Sequence, residues 1–117
     1  YFKIGKYKPP GRPKSANAQI KSNLANIRAN SAYINEDKKS YASVCTDELN
    51  KSMRANAEKL GGSASKCFAD LDSFVVSAKL KDEINGKSYF CVDSKGSIEE
   101  TTNNQEALIT NSDTLCP

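Results

Sequence analysis

Residues 15–35, SANAQIKSNLANIRANSAYIN, constrain most strongly what this chain can fold into. Apolar side chains recur there at helical spacing, with the small Ser31 between the last two: Ile20, Leu24, Ile27 and Ile34. Side chains at this spacing form one stripe of an amphipathic helix, and that stripe must be buried. We therefore expect a helix over residues 15–35, capped by Ser15, with the remainder of the chain supplying its cover.

Charge is distributed unevenly along the 117 residues. The chain has 17 basic and 14 acidic residues, which gives a net charge of +3. Five basic residues precede the helix with no acidic residue among them: Lys3, Lys6, Lys8, Arg12 and Lys14. The remainder has 12 basic residues (17 minus 5) against 14 acidic ones, a charge of −2. A basic, nucleic-acid-binding globular domain is therefore excluded, and only the leading segment is basic.

Residues 1–14 form a separate segment by composition. A glycine and three prolines exclude a regular helix in it: Pro9, Pro10, Gly11 and Pro13. One interpretation is a basic arm that contacts nucleic acid or an anionic surface, and the other is a solvated linker. We favour the linker, because a few charges without a folded scaffold give only weak, salt-sensitive attraction. Residues 15–117 then form a single globular domain.

The chain has four cysteines: Cys45, Cys67, Cys91 and Cys116. An even count in a small chain with 38% hydrophobic residues indicates two disulfides and an extracytoplasmic location. A metal site is less favoured, because histidine is absent and the cysteines are widely spaced rather than in close pairs. Reduced thiols are the third alternative.

Four cysteines allow three pairings, and sequence alone does not decide among them. Local pairing is favoured. Cys45 and Cys67 flank a second predicted helix, and a bridge between them would clasp it. Cys91 lies on a predicted strand, and a bridge to Cys116 would pin the C-terminal tail to the sheet. Each bridge would contribute about 2–4 kcal/mol through loop entropy.

The second predicted helix follows Thr46 as its N-cap and ends at Gly61 and Gly62. We expect its inward stripe to consist of the larger apolar residues and an alanine: Leu49, Met53, Ala57 and Leu60. Near the end of the first helix, three side chains are expected to close the core: Tyr33, Ile34 and Tyr41.

From residue 73 the apolar period changes from helical to alternating. Residues 73–81 predict a strand with one apolar side: Phe74, Val76, Ala78 and Leu80. Asn85 and Gly86 predict a hairpin, residues 88–94 the return strand, and residues 97–100 a third short strand. The sequence thus predicts an α+β fold: an amphipathic helix packed on a three-stranded antiparallel meander, with a short helix in the connecting loop and a disulfide-pinned C-terminal tail.

No catalytic constellation is visible in the sequence. Ser-His and Cys-His pairs are impossible without histidine, and no phosphate-binding glycine loop is present. Asp70 with Asp72, or Asp82 with Glu83, could contribute to a calcium site, but neither pair has EF-hand spacing and solvated acids are favoured. Residues 50–52 form a glycosylation sequon. We expect no enzyme activity, no cofactor and no metal.

The chain resembles the soluble part of a bacterial type IV pilin or type II secretion pseudopilin. The resemblance rests on four strings: KSANAQIKSNLANIRANSA (residues 14–32), KKSYASVCTDELN (38–50), VVSAKL (75–80) and YFCVDSKG (89–96). It implies a long N-terminal helix whose apolar first half packs in a filament core and whose second half, residues 15–35, lies across the sheet. It also implies a C-terminal disulfide, which supports pairing Cys91 with Cys116.

Residues 1–12 show no counterpart of the prepilin cleavage motif, of the apolar half-helix or of its early glutamate. We therefore expect an apolar segment upstream of Tyr1. The resemblance implies a structural subunit of an extracellular filament or pseudopilus, exported, membrane-anchored before assembly, and then located in a cell-surface filament or the periplasm. Its partners would be identical or related subunits and the inner-membrane assembly machinery.

The polar face of the first helix is then a candidate contact with neighbouring subunits, through Lys21 and Arg28. The alternative function is a secreted, disulfide-stabilised binding module that uses its basic N-terminal arm on nucleic acid or an anionic surface.

Overall fold

The computed structural model describes residues 15–102 and Cys116. In this part of the chain two helices precede four strands: α1 Ala16–Lys38, α2 Glu48–Gly61, β1 Lys66–Ala69, β2 Phe74–Ile84, β3 Lys87–Asp93 and β4 Ile98–Thr101. The strands form one antiparallel sheet in chain order. The α+β class is confirmed. The predicted arm over residues 1–14 and most of the C-terminal tail lie outside the described residues.

Helix α1 begins where the sequence predicts and ends three residues later than residue 35, at Lys38. The hydroxyl of Ser15 accepts the Ala18 N–H at 3.0 Å, which caps the first turn. The predicted stripe is buried at Ile20, Leu24, Ile27 and Ser31. Ile34 packs partly buried against the core.

The prediction that Tyr33 closes the core is wrong, because its side chain is 72% exposed. Tyr33 lies about 120° around the helix from Ile27, since each residue turns the helix by about 100°. Tyr41, the other aromatic residue of this region, does pack against the core, with its ring 5.3 Å from that of Phe74.

One side of the sheet faces α1 and supplies most of the core. From β2 it presents the four predicted side chains, Phe74, Val76, Ala78 and Leu80, all buried. Phe90 and Val92 of β3 stand beside Ala78 and Val76 in register. The other side carries a smaller cluster in which Val75 and Cys91 contact Phe68 and Cys116.

The expectation of three strands is wrong: residues 66–69 form a fourth, β1, at one edge of the sheet. Its four residues are too few to show alternation, and it is a strand because it pairs with β2, as in Cys67 with Val76. Strand β2 extends to Ile84. Asn85 and Gly86 follow with φ of 52° and 80°, the conformation that a two-residue hairpin turn requires.

Helix α2 is capped by Asp47, not Thr46, through a 3.0 Å bond from the Asn50 N–H. Three residues of its predicted inward stripe do face the core: Ala57 is fully buried, and Met53 and Leu60 pack partly buried against it. The prediction for Leu49 is wrong. Leu49 is 56% exposed, whereas Asn50 is fully buried. The reason is that Asn50, and not Leu49, faces the polar side chains of α1 where the two helices meet.

The end of α2 packs directly on β2. Gly61 is the last helical residue, and a Cβ there would lie 2.2 Å from the Lys79 carbonyl oxygen and 3.6 Å from Ile20 Cδ1. Only glycine allows this approach. Because Gly61, at the end of α2, lies near Ile20 at the start of α1, and Asn50, near the start of α2, bonds Asn30 in the second half of α1, the two helices are antiparallel.

Candidate assembly surface

Two disulfides join the four cysteines. Cys45 and Cys67 have Cα atoms 5.9 Å apart, and Cys91 and Cys116 have Cα atoms 6.0 Å apart, both within the usual range. These are the two local pairs that the sequence favours. They indicate an oxidising, extracytoplasmic environment.

A polar clasp reinforces the Cys45–Cys67 bridge. Glu58 on α2 accepts the Ser65 N–H at 2.8 Å and the Ser65 hydroxyl at 2.5 Å. Arg54 donates to the Ser65 hydroxyl at 3.0 Å and to the Cys45 carbonyl at 3.4 Å. Burial raises the pKa of Glu58, but the bonds from Ser65 and the charge of Arg54 outweigh it, and the pKa lies below its ordinary value. The segments on both sides of α2 are thus tied to the helix.

A buried polar cluster connects α1 to α2. The side-chain amide of Asn50 donates to the Val44 carbonyl at 3.0 Å and to the Ser31 hydroxyl at 3.3 Å. Its oxygen accepts a bond from Asn30 at 3.0 Å, and Asn30 also donates to Asp47 at 3.0 Å. Every polar atom of the Asn50 side chain is therefore paired within the helix–helix contact.

This cluster determines whether the glycosylation sequon at residues 50–52 is accessible in the folded domain. A glycan would be attached to the side-chain nitrogen of Asn50. Asn50 is fully buried, and this nitrogen donates hydrogen bonds to the Val44 carbonyl and the Ser31 hydroxyl. A glycan on that nitrogen would need space inside the helix contact. The folded domain therefore does not present this sequon for modification.

Lys21, one of the two predicted subunit-contact residues, is partly occupied within its own chain. Its ammonium group pairs with the carboxylate of Glu100 on β4 and lies 5.6 Å from the centre of the Phe90 ring. About a third of the side chain, 33%, stays exposed. Lys21 thus joins α1 to the last strand, and its role toward another subunit stays a prediction.

Arg28, the other predicted contact residue, is in a different state. Its Nε atom is buried and has no hydrogen-bond partner within residues 15–102 and Cys116, although the side chain as a whole is half-buried. Seven residues separate it from Lys21, so the two lie on nearly the same side of α1, about 10 Å apart along its axis. The helix thus carries both basic groups along one side.

The predicted carboxylate pairs lie at two turns of the sheet. Asp70 and Asp72 are in the turn between β1 and β2, where the N–H groups of Asp72 and Ser73 hold the pKa of Asp70 below its ordinary value. Asp82 and Glu83 are exposed near the end of β2. Across the described part of the chain, no group of three or more histidine, cysteine or acidic side chains is placed to hold a metal ion.

An open groove of about 510 Å³ lies where the start of α1, the end of α2 and β2 meet. Six residues line it: Ala16, Gln19, Asn56, Lys59, Leu60 and Lys81. Two of the six are basic and none is acidic. Acidic residues are nevertheless close to them in the chain, since Glu58 precedes Lys59 and Asp82 follows Lys81. The groove was not predicted from the sequence, because its lining comes from three separate elements and no local sequence pattern indicates that they are adjacent.

Neither helix in the described ranges is long and apolar enough to cross a membrane. Comparisons with protein-family models, with curated proteins and with solved structures gave no match.

Proposed function

We propose that this protein is a structural subunit of an extracellular type IV pilus-like filament or of a type II secretion pseudopilus. One observation carries the proposal. A long helix lies with its apolar stripe on a small antiparallel sheet, a helical excursion follows between Cys45 and Cys67, and Cys116 is bonded to β3. This is the element order that the resemblance to pilins implies.

The available side chains support assembly and display rather than catalysis. The sequence has no histidine, and the buried polar side chains around α2 are consumed by bonds that hold the helices together. A domain cross-linked by two disulfides suits a filament subunit, because the subunit must keep its shape outside the cell.

The first test concerns the residues encoded upstream of Tyr1. A filament subunit requires an apolar helical segment preceded by a prepilin-type cleavage motif there. Immunogold electron microscopy with an antibody against residues 15–117 should then label thin surface filaments or, for a pseudopilus, a periplasmic structure. An upstream sequence that lacks both features contradicts the proposal. Gene neighbourhood and filament imaging separate pilin from pseudopilin.

The second test concerns the polar side of α1. Charge reversal at Lys21 and Arg28 should weaken assembly while the domain stays folded. Because Lys21 pairs with Glu100, Lys21→Glu is best combined with Glu100→Lys, which keeps the internal ion pair with its charges exchanged. Arg28→Glu needs no such partner. Normal filaments from the Lys21→Glu, Arg28→Glu, Glu100→Lys variant would contradict a role for this side.

A second function is favoured by one feature, the five acid-free basic residues of 1–14. Residues 15–102 carry 12 basic residues (17 minus 5) and 12 acidic ones (14 minus Glu106 and Asp113), so they are neutral. The arm would supply all attraction to nucleic acid or an anionic surface. Titration of the chain with duplex DNA at several salt concentrations, with and without residues 1–14, tests this. Unchanged binding after deletion contradicts it.

A further inference from the structure

The turn between β1 and β2 presents an apolar side chain between two carboxylates. Leu71 is 67% exposed, and its neighbours Asp70 and Asp72 are exposed as well. The turn is held in place from two sides. The Asp70 carboxylate accepts the N–H groups of Asp72 and Ser73, both at 2.9 Å, and the Leu71 carbonyl accepts the Tyr41 N–H at 3.2 Å. We call Asp70, Leu71 and Asp72 the acidic turn.

The groove at the start of α1 has the opposite character. Lys59 and Lys81 are both exposed, and Leu60 and Ala16 contribute apolar surface between them. We call this site the basic groove. The groove is open to solvent and has a volume of about 510 Å³.

The walls of the basic groove are held as firmly as the acidic turn. The side-chain amide of Asn17 donates to the Asp82 carbonyl at 2.8 Å and accepts the Asp82 N–H at 3.0 Å, which ties the first turn of α1 to β2. Gly61 lets the end of α2 reach the Lys79 carbonyl. The backbone on both sides of the contact is thus already held in place, which reduces the cost of ordering it on docking.

The two sites lie at opposite ends of the molecule. The basic groove includes Ala16, at the start of α1, and the acidic turn bonds Tyr41, just past the end of α1. A helix of 23 residues is about 35 Å long. One surface therefore cannot fold back to cover the other within a single domain.

We propose that the acidic turn of one copy of this chain docks in the basic groove of a second copy. Leu71 enters the groove beside Leu60, and Asp70 and Asp72 face Lys59 and Lys81. The inference rests on the proposed function, because it names a contact between filament subunits. It is a head-to-tail contact through two different surfaces, so each added copy leaves one turn and one groove free, and the chain of copies can extend.

Sedimentation velocity of the 117-residue chain tests the contact with two complementary defects. Leu71→Ser with Asp72→Ser disables the turn and spares the groove, and Lys59→Glu with Lys81→Glu disables the groove and spares the turn. Asp70 is left unchanged because its carboxylate holds the turn. The unaltered chain should form species larger than a dimer as concentration rises. Each variant alone should associate at least tenfold more weakly.

Mixing the two variants gives the decisive result. The intact turn of one can enter the intact groove of the other, so a 1:1 mixture should form a dimer and nothing larger. A mixture that stays monomeric while the unaltered chain associates overturns the head-to-tail contact. An unaltered chain that stays monomeric at every attainable concentration overturns it as well.

Two control variants separate the contact from general effects. Leu49→Ser removes another exposed apolar side chain, which is 56% exposed and also adjoins an acid, Glu48. Lys87→Glu with Lys95→Glu makes the same charge change as the groove variant at exposed sites outside the groove. Both should associate like the unaltered chain, with unchanged melting temperatures throughout the series. Equal weakening by either control overturns the assignment to the acidic turn and basic groove.

Imaging in the producing cell distinguishes this inference from the proposed function. Filaments of normal number that contain the Leu71→Ser, Asp72→Ser variant overturn the contact and leave the filament role standing. A chain that associates head to tail in solution, but that no antibody detects in any filament or pseudopilus, overturns the proposed function and leaves the contact standing.

Discussion

Helix α1 contacts its two neighbours through surfaces of opposite chemistry. Toward the sheet it presents Ile20, Leu24 and Ile27, all fully buried among apolar side chains. Toward the start of α2 it presents Asn30 and Ser31, which join a network of hydrogen bonds around Asn50. The same helix is therefore held by burial on one side and by directional bonds on the other.

The difference teaches how stability and position are divided in this domain. Apolar burial is non-directional and supplies most of the stabilisation, at about 25 cal/mol per Å². A buried polar network adds little net stability but tolerates only the arrangement in which each group is paired. We therefore expect α1 and the sheet to form the stable unit. The excursion through α2 should depend on its bonds and on the Cys45–Cys67 bridge.

The largest expected effect is on the apolar side. Leu24→Ala should lower the free energy of unfolding by about 2–5 kcal/mol, because Leu24 is fully buried and its loss leaves a cavity. Chemical denaturation followed by circular dichroism measures it. Leu49→Ala is the matched control. Because the Leu49 side chain is 56% exposed, its truncation should lower the free energy of unfolding by well under that amount. Equal losses would mean that the apolar contact with the sheet is not the main source of stability.

The next effect separates the two disulfides. Cys45→Ala with Cys67→Ala should cost about 2–4 kcal/mol of stability and should increase hydrogen exchange in α2 more than in β2 and β3. The reason is that the loop closed by this bridge contains α2 and neither β2 nor β3. Cys91→Ala with Cys116→Ala is the control, and it should leave exchange in α2 unchanged. If hydrogen exchange increased equally throughout the domain in both variants, α2 would not be a separately stabilised region.

A smaller effect is expected on the polar side. Asn50→Ala should cost about 1–3 kcal/mol, because it leaves Asn30, Ser31 and the Val44 carbonyl without their buried partner. Thermal unfolding measures the change. Asn56→Ala, at an exposed position of the same helix, should shift the midpoint little. If Asn50→Ala is as mild as the control, the network does not position α2.

The smallest effect is a pH dependence. The folded-state pKa of Glu58 lies below its ordinary value, so its charged form stabilises the fold at neutral pH. That contribution declines as pH falls below the ordinary carboxyl pKa of about 4.3 and through the lower folded value. Solvent screening keeps it to less than about 1 kcal/mol.

Glu58→Gln should therefore destabilise the domain at pH 7 and much less at pH 3, as measured by denaturant midpoints. Glu83→Gln, at an exposed position, is the control. A loss for Glu58→Gln that is equal at both pH values would contradict the assigned role of the carboxylate.

Features encoded over short distances could be predicted from the sequence. The period of Ile20, Leu24 and Ile27 predicts α1 and its buried stripe. Asn85 and Gly86 predict the hairpin, because few residues other than these adopt positive φ readily. The positions of the cysteines beside predicted elements favour local disulfide pairs without deciding among the three pairings, and the favoured pairs are the ones observed. For the helix and the hairpin, the residues that carry the information are close together in the chain.

Features that depend on distant partners needed the tertiary structure. Strand β1 exists because β2 lies beside it. Leu49 is exposed and Asn50 buried because the polar side of α1 selects a hydrogen-bonding partner. The basic groove arises where three elements converge, and the ion pair of Lys21 with Glu100 joins residues 79 positions apart. Local propensity contains no information about these contacts between distant residues, because packing between elements decides which side of each element is buried.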